Sequence, residues 1–470
     1  MDYREKIDAY LDKHKKEMVN DIIALCRVNS ERSAYVKRMP FGEGPALALR
    51  TAMDMGERYG FSIRNYDNFV CTLDLNDGAP QLDILAHLDV VPAGEGWSVT
   101  KAYEPIVKDG RIYGRGTADD KGPAVAAVYA MRAVKELGIP VTKNCRLILG
   151  TDEESGSSDI IQYYNDEPEA PMTFSPDAEF PVTNVEKGRL PGEIRASFEK
   201  PAEELPRIIS VDAGIRFNVV PDRAACLIEG LDDNFVKDAC DAVTEQTGVK
   251  FWISARGQNR LLIEAYGETA HASTPAEGKN ALTSLLRLLA SLPFADAENV
   301  RALRHLESLF PWHDTEGRAA GVAMEDEVSG ALTLAFTMFH MNEEELTAGF
   351  DARVPAVGNE ENVLEVLKEK IGKYNLELIN ETMTKPHVVD GNSEFVQTLL
   401  RDYEEVSGLK GSCQSTGGGT YVHNLKNGVA FGAAFPGTDN RMHGPDEFAV
   451  IDQLVMAAKI FARVIADLCA

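Results

Sequence analysis

The residues of this chain best suited to metal chemistry are histidines and acids that follow short apolar runs. The run at residues 82–87 ends on His87, and Asp89 follows two positions later. Residues two apart in an extended chain point to the same face, so both side chains reach one point at the carboxyl end of the strand. A histidine there can ligate a metal while the carboxylate fixes its tautomer. For this pair alone, the alternative is a histidine satisfied by its neighbouring aspartate.

Other ligand-type residues also follow apolar runs or predicted strands, and they are Asp119, Glu153, Glu154, Asp177 and, in the C-terminal part, His443. Carboxylates a few ångströms apart repel each other by roughly 1 to 4 kcal/mol, so a cluster of them needs cations. Asp119, Glu154 and Asp177 carry three negative charges, whereas two divalent ions carry four positive charges. The remaining positive charge leaves room for a bound hydroxide. Ligands of the His, Asp and Glu types without a thiolate suit zinc or manganese.

Glu153 and Glu154 are adjacent, so their side chains diverge and we do not expect both to bind one metal. One is expected to be a ligand, and the other is free to act as a base. A metal lowers the pKa of bound water to about 7, and a nearby carboxylate can pass the released proton to a leaving amine. Taken alone, the acidic run at residues 152–154 is typical of a solvated face or a helix N-terminus. The joint occurrence of acids after apolar strands favours the catalytic interpretation.

The elements that position these residues predict two domains, as expected for 470 residues, which are too many for one core. Strands and helices alternate over residues 1–187, which predicts an α/β domain with a largely parallel sheet and helices on both faces. Residues 188–384 have amphipathic strands, which predict an inserted α+β domain. Residues 385–470 resume the α/β pattern, with a strand at 429–435.

The composition limits the classes of binding partner and the cellular compartment that we expect for this protein. The net charge of -26 argues against a nucleic acid or an anionic membrane as partner. The 7 cysteines are odd in number and scattered, which predicts reduced thiols rather than a disulfide framework. There is no signal-peptide pattern, and no apolar run is long enough to cross a bilayer. We therefore expect a cytoplasmic location.

Seven motifs carry a resemblance to a known family, and they read HLDVVP at 87–92, GRGTADDKG at 114–122, TDEESG at 151–156, SPD at 175–177, GETAHASTP at 267–275, GGGT at 417–420 and HGPDE at 443–447. With these motifs the chain resembles the co-catalytic zinc metallopeptidases that include glutamate carboxypeptidase, aminoacylase and carnosinase. The resemblance implies a phosphorylase/hydrolase-like catalytic domain and a large inserted lid domain. It also implies two zinc ions per chain, with manganese or cobalt as possible substitutes.

Carried over position by position, the resemblance assigns the metal ligands. Asp119 would bridge both ions. His87 and Asp177 would complete one site, and Glu154 and His443 the other. The resemblance makes Glu153 the general base and acid, and it makes Asp89 the residue that orients the first histidine.

The resemblance also assigns residues of the inserted domain and one glycine loop. His271 would stabilise the oxyanion, and Arg353 would clamp the substrate carboxylate. Asn218 and the loop with Gly417 and Gly418 would help to hold that end. The alternatives for the loop are a flexible turn or a phosphate cradle, and no Gly-Lys-Ser/Thr sequence follows it. Closure of the lid would bring His271 and Arg353 to the metals.

Asp rather than Glu at position 177, together with the long insert, looks like the PepV-type dipeptidases of this family. The resemblance thus implies hydrolysis of dipeptides with a free N-terminus. It also implies a monomer, in which the lid takes the role of a second subunit, although a dimer is possible. The first alternative is a deacylase of N-acetyl or N-succinyl amino acids. The second is a protein that keeps the fold only for binding.

Overall fold

The computed structural model describes residues 3–199, 204–257 and 259–470, which fold as two units. The first unit contains residues up to Val185, then Val388–Gln414 and Gly419–Ala470. The second unit contains Glu186–His387 and also Ser415–Gly418, a short segment that follows the predicted insert in sequence. No helix within the described ranges is long and apolar enough to cross a membrane.

The described residues contain ten α-helices, with short 3-10 turns at Glu153–Ser155, Pro275–Glu277 and Tyr421–Asn424. The helices are α1 (Tyr3–Cys26), α2 (Glu43–Arg58), α3 (Lys121–Glu136), α4 (Ser158–Asp166), α5 (Asp233–Thr247), α6 (Ala281–Ser291), α7 (Glu298–Leu309), α8 (Glu365–Ile371), α9 (Glu394–Ser407) and α10 (Ile451–Leu468). A π-helical turn at Glu360–Leu364 precedes α8.

The strands fall into two groups by unit. Those before the second unit, or at its boundary, are β1 (Ser62–Tyr66), β2 (Val70–Asp74), β3 (Pro80–His87), β4 (Ile106–Lys108), β5 (Arg111–Tyr113), β6 (Asn144–Gly150), β7 (Met172–Ser175), β8 (Ala178–Glu179) and β9 (Val182–Glu186). Those of the second unit are β10 (Gly188–Ser197), β11 (Arg207–Ala213), β12 (Val219–Val220), β13 (Arg223–Glu229), β14 (Lys250–Ala255), β15 (Arg260–Tyr266), β16 (Ala270–His271), β17 (Glu325–Asp326), β18 (Gly330–Ala331), β19 (Thr333–Met341), β20 (Glu345–Val354) and β21 (Glu377–Leu378). The last strands are β22 (His387–Val388), β23 (Cys413–Thr416), β24 (Gly428–Ala430), β25 (Ala433–Ala434) and β26 (Phe448–Val450).

The main sheet of the first unit has the order β1-β2-β6-β3-β7-β24-β9-β22, with β23 beside β9. Its central strands β6, β3, β7 and β24 are parallel, whereas β1, β2 and β9 pair antiparallel with their neighbours. The sheet is therefore mixed, with a parallel centre, and the α/β class is confirmed. The carboxyl ends of parallel strands meet at one edge, where ligands bind in open α/β sheets.

Both faces of this sheet are covered. Leu82 and Ile84 of β3 lie in a core with α1, α3 and α10, whereas Leu85 lies in a second core with Ile160 of α4 and Tyr421. The alternation follows from the two-residue period of a strand. Because both faces are buried, the strand reads as a continuous apolar run, which explains why its pattern identified it as buried and parallel.

One predicted strand was wrong. The run at residues 429–435 forms two short strands, β24 and β25, which pair with different partners, β7 and β8. Gly432 lies between them with a φ of 75°, a left-handed conformation that ends the extended chain. A Cβ at this position would lie 2.3 Å from the ring of Phe180, so glycine also allows the close approach of that ring.

The second unit has an antiparallel sheet in the order β14-β15-β13-β11-β19-β20-β10-β21. Its core is formed by one face of the sheet and by helices α5 to α8. Buried and less buried residues alternate along β13 and β15, as expected when one face of a sheet packs on helices. The predicted α+β class of the insert is confirmed.

Candidate metal centre

The first cluster of ligand atoms lies at the carboxyl edge of the parallel strands in the first unit. His87 is the last residue of β3, Asp177 follows β7, and Asp119 precedes α3. The Nε2 atom of His87 lies 2.9 Å from Oδ1 of Asp119 and 3.6 Å from Oδ2 of Asp177. Each residue thus offers one ligand atom to a common point.

A second cluster shares a residue with the first. Nε2 of His443 lies 2.8 Å from Oδ2 of Asp119 and 3.3 Å from Oε1 of Glu154. Asp119 therefore directs one carboxylate oxygen to each cluster. A carboxylate in this arrangement can join two ions through its two oxygens.

The electrostatics of both clusters favour positive charge. Burial lowers the pKa of His87, but hydrogen bonds with Asp119 and the other carboxylates outweigh burial and raise it well above the usual range. Hydrogen bonding to Asp119 and then to Glu154 raises the pKa of His443 to about 10. Burial, followed by the charge of Asp119, raises the pKa of Asp177. Histidines whose pKa is raised beside an aspartate that resists ionisation indicate a strongly negative site.

The donor atoms fit divalent metal ions. Zinc ligands lie about 2.0–2.2 Å from the ion, so two ligand atoms of a tetrahedral site lie roughly 3.3–3.6 Å apart. Two of the separations from the histidines, 3.3 and 3.6 Å, match this spacing, and the other two, 2.8 and 2.9 Å, are shorter, as expected for direct hydrogen bonds. The donors are imidazole and carboxylate without a thiolate, a set that suits zinc or manganese.

Asp89 contacts both the first histidine and the acidic turn. Nδ1 of His87 lies 3.0 Å from the backbone oxygen of Asp89 and 3.5 Å from its Oδ1 atom. The backbone carbonyl is thus the nearer acceptor, and a proton on Nδ1 leaves the Nε2 lone pair for a metal. The Asp89 carboxylate accepts the backbone N–H groups of Glu153 at 3.2 Å and Glu154 at 3.1 Å. It therefore also fixes the turn that carries the two glutamates.

Glu153 is half-buried beside the ligand clusters, in the 3-10 turn Glu153–Ser155. Burial and then the charge of Asp177 raise the pKa of Glu153 well above its usual range. A carboxyl group with a raised pKa can accept a proton and release it again near neutral pH. In contrast, Glu154 directs its carboxylate to the second cluster. The adjacent glutamates thus have different environments.

Sequence reasoning missed a buried ion pair of Arg115 and Glu447 in the first unit. Both residues lie within motifs that carry the family resemblance, at 114–122 and 443–447, but no pattern indicates that they pair. Arg115 also donates to the backbone oxygen of His443 at 3.2 Å. Arg115 therefore binds the backbone of His443, one of the candidate metal ligands.

A second contact that the sequence does not reveal supports the acidic turn. Oδ2 of Asp159 accepts the backbone N–H groups of Thr151 at 2.5 Å and Asp152 at 2.9 Å. The Tyr421 hydroxyl donates to the same oxygen at 2.5 Å, across a sequence separation of 262 residues. These bonds fix the backbone immediately before Glu153.

The remaining predicted site residues belong to the second unit. His271 ends the short strand β16, which pairs with β12 so that His271 lies opposite Val219. The backbone oxygen of Asn218 accepts the N–H group of Ala272 at 2.9 Å, so Asn218 adjoins the same pair of strands. Burial, followed by the positive charge of Arg353, lowers the pKa of His271. The imidazole is therefore neutral at neutral pH.

Arg353 is buried at the end of β20 and is held by two partners. Its Nε and Nη2 atoms donate to the two oxygens of Asp351, at 2.5 and 3.2 Å, and its Nη1 atom donates to the backbone oxygen of Gly417. A guanidinium has five N–H groups, so among the described residues these contacts leave two for a ligand. Gly418 follows Gly417 in the same loop, and its N–H group is bonded to the Thr416 hydroxyl at 3.0 Å.

Comparison with known proteins identifies the family of this chain. The model of peptidase family M20/M25/M40 matches residues 84–467. A relative from Bacillus subtilis (strain 168), called a putative dipeptidase, is 34% identical over 459 residues, which cover 97% of this chain and 97% of the relative. A β-Ala-Xaa dipeptidase from Lactobacillus delbrueckii subsp. lactis is 32% identical over 474 residues, which cover 100% of this chain and 98% of that one.

Solved structures share the fold at low sequence identity. Human carnosine dipeptidase 1 has a TM-score of 0.60 and 15% identity, covering 100% of this chain and 99% of that chain. Aminoacylhistidine dipeptidase from Vibrio alginolyticus has a TM-score of 0.59 and 15% identity, with 96% of each chain covered. The predicted resemblance to a peptidase family is confirmed by a family match that spans most of the sequence. This chain belongs to the peptidase family M20/M25/M40.

Proposed function

We propose that this chain is a metal-dependent dipeptidase that hydrolyses dipeptides with a free N-terminus. One site would be formed by His87, Asp119 and Asp177, and the other by Asp119, Glu154 and His443. The observation that carries the proposal is that Asp119 directs one carboxylate oxygen to each cluster. A shared carboxylate of this kind is a reason to expect a pair of ions rather than a single one.

Two divalent ions bound there would supply Lewis acidity, polarising the peptide carbonyl and making a water molecule more acidic. Glu153 takes the proton of the attacking water and passes it to the leaving amine, in keeping with its raised pKa. His271 donates a hydrogen bond to the developing oxyanion, a contribution of about 2.7–4 kcal/mol for one good donor.

Arg353 binds the C-terminal carboxylate of the dipeptide. Its two remaining N–H groups suit a carboxylate, and the contact with Asp351 holds the guanidinium in a fixed orientation. Asn218, Gly417 and Gly418 would help to hold this end of the substrate. The Asn218 segment adjoins the strand that carries His271, and the glycine loop accepts a hydrogen bond from Arg353.

The free N-terminus of the substrate is supported by two facts. Asp177 occupies the position where the family resemblance associates aspartate with aminopeptidases and dipeptidases. Relatives that match nearly the whole chain are named dipeptidases, one of them for β-Ala-Xaa substrates. The alternative is a deacylase of N-acetyl or N-succinyl amino acids.

A substrate panel tests the proposal against this alternative. The purified chain is treated with a chelator and then supplied with zinc, manganese or cobalt. We expect hydrolysis of alanyl and β-alanyl dipeptides, lost on chelation and restored by metal, with little hydrolysis of N-acetyl or N-succinyl amino acids. Preference for the acylated substrates would support the deacylase and contradict the dipeptidase.

Two substitutions test the proposed roles. Glu153→Ala is expected to reduce turnover by about 10²–10⁴-fold while metal remains bound, because only the proton carrier is lost. Asp119→Ala is expected to lose both turnover and metal. Glu104→Ala is the control, since this exposed carboxylate pairs with Lys101 at the surface. Near-normal activity in both test variants would refute the roles.

Three further properties are part of the proposal. Zinc is the expected metal because of the imidazole and carboxylate ligands, and metal analysis of the purified protein tests this. A monomer is expected from the large second unit, and light scattering tests it. A cytoplasmic location is supported by the 7 unpaired cysteines, six of them buried, and fractionation of the source cells tests it.

A further inference from the structure

The turn that follows His271 also holds a serine against its ring. Oγ of Ser273 lies 2.6 Å from Nδ1 of His271, and the backbone N–H group of Ser273 donates to the same nitrogen at 3.1 Å. The turn is closed by the N–H group of Thr274, which donates to the backbone oxygen of His271 at 3.0 Å. Both groups of Ser273 are thus directed at one ring nitrogen.

These contacts determine which nitrogen of His271 carries the proton. The backbone N–H group of Ser273 can only donate a hydrogen bond, so it favours a lone pair on Nδ1, and the shorter hydroxyl contact, at 2.6 Å rather than 3.1 Å, adds to this preference. With Nδ1 as the acceptor, the Ser273 hydroxyl donates to it. In the neutral imidazole the single proton is then on Nε2.

We propose that Ser273 is a positioning residue that holds His271 in the neutral Nε2–H tautomer and so presents a hydrogen-bond donor to the oxyanion. The inference deepens the proposed function and rests on the oxyanion role of His271. The opposite tautomer would present the Nε2 lone pair to a negatively charged oxygen, which repels it. A fixed tautomer therefore provides the donor before the reaction begins.

The charge around the ring is consistent with a neutral imidazole. Burial and then the positive charge of Arg353 lower the pKa of His271, whereas the nearby Asp351 opposes this effect. A protonated ring would place a proton on Nδ1, where two donors from Ser273 already point. Geometry and charge thus favour the same state.

The glycine loop leaves space for this serine. A Cβ atom at Gly417 would lie 2.9 Å from Cβ of Ser273, closer than side chains normally approach. The backbone oxygen of Gly417 accepts a hydrogen bond from Arg353, the proposed clamp for the substrate carboxylate. The loop therefore contacts both the positioning residue and the carboxylate-binding arginine.

The expected effect of Ser273→Ala is partial. Removal of a whole oxyanion donor costs about 10²–10³-fold in kcat. The alanine variant keeps the backbone N–H contact, so a smaller loss of about tenfold in kcat is expected, with KM and metal content unchanged. Ser273→Thr keeps a hydroxyl and is expected to restore most of the activity. Thr274→Ala is the matched control, because its hydroxyl contacts Glu277 rather than the ring.

The test reads the tautomer directly in the full-length, zinc-loaded protein. Imidazole nitrogens are labelled with ¹⁵N, and the signals of His271 are assigned by their loss in His271→Ala. We expect the Nε2–H tautomer in the parent and in Ser273→Thr, and a mixture with the Nδ1–H tautomer in Ser273→Ala. An Nδ1–H tautomer in the parent, or an unchanged tautomer in Ser273→Ala, would overturn the inference.

The result also separates this inference from the proposed function. A mixed tautomer in Ser273→Ala together with the expected loss of kcat supports both. A mixed tautomer with unchanged kcat would show that Ser273 sets the tautomer but would overturn the oxyanion role of His271. Thermal unfolding of each variant, compared with the Thr274→Ala control, identifies a loss of activity that is due to misfolding.

Discussion

Nη1 of Arg115 lies 2.6 Å from Oε2 of Glu447, and both side chains are at most 1% exposed. The other oxygen of Glu447 accepts the N–H group of Ala118, directly before Asp119, at 3.0 Å. Arg115 donates to the backbone oxygen of His443 at 3.2 Å. One buried ion pair thus links the chain segments that carry the shared carboxylate and the histidine of the second cluster.

Breaking this pair is expected to destabilise the first unit. Glu447→Gln leaves the buried guanidinium of Arg115 without a counter-charge, which costs about 3–5 kcal/mol in the free energy of unfolding. Chemical denaturation measures the change, and Glu104→Gln at the surface is the control, with an expected change of about 0.5 kcal/mol or less. The double substitution Arg115→Met with Glu447→Leu is expected to recover much of the loss. A Glu447→Gln variant as stable as the control would contradict this account.

Substitution of Asp89 is expected to lower turnover while the metal content stays unchanged. In Asp89→Asn the side-chain nitrogen cannot accept a hydrogen bond, so the N–H group of Glu153 or of Glu154 loses its acceptor. The backbone oxygen of Asp89 still holds His87, so metal is retained. We expect kcat to fall about 10–100-fold at saturating zinc. Kinetics and metal analysis are compared with His87→Ala, which is expected to lose metal; loss of metal in both would show that the carboxylate acts through His87.

The two glycines of the loop, Gly417 and Gly418, are expected to differ in how well they tolerate an added methyl group. A methyl group on Gly417 would meet Ser273 at 2.9 Å, whereas one on Gly418 would meet only the Thr416 hydroxyl at an ordinary 3.5 Å. We expect Gly417→Ala to lower kcat with metal content unchanged, and Gly418→Ala to have a smaller effect. Steady-state kinetics on a dipeptide measures both, and equal effects would exclude the steric explanation.

Removal of Arg353 is expected to raise the pKa of His271. After burial, the positive charge of Arg353 is the largest cause that lowers this pKa, because a nearby cation disfavours the protonated imidazole. In Arg353→Gln the ring therefore binds its second proton at a higher pH, and the acidic limb of the kcat profile moves to higher pH. NMR titration of His271 measures the shift.

Arg189→Gln serves as the comparison for this prediction. Arg189 also lowers the pKa of His271, but less than Arg353 does. We therefore expect a smaller upward shift in Arg189→Gln than in Arg353→Gln. A pKa of His271 that stays unchanged or falls in Arg353→Gln would show that the arginine does not act on the ring.

The local sequence was sufficient to predict the elements that carry the candidate metal ligands. The apolar run that ends on His87 predicted the buried parallel strand β3, and the pattern change near residue 188 predicted a separate α+β unit. These features are readable because burial on both faces requires continuous apolar residues, whereas burial on one face requires alternation. The short strands β4 and β5 are not predicted, because three residues are too few for a periodic pattern.

The contacts around the site depend on the tertiary structure. Arg115 and Glu447 are 332 positions apart in the sequence, and Asp159 and Tyr421 are 262 apart, so no local pattern reveals either pair. No local pattern reveals that the segment Ser415–Gly418 belongs to the second unit, where it contacts Ser273 and Arg353.

By itself, the sequence determined the residue types, the strand ends that carry them and the family. Only the tertiary structure decided that Asp119 directs its two oxygens to different clusters, and that the nearer acceptor for His87 is a backbone carbonyl. The physical reason is that apolar periodicity is a local property of the chain. Hydrogen-bond direction instead depends on atoms that folding brings together from distant segments.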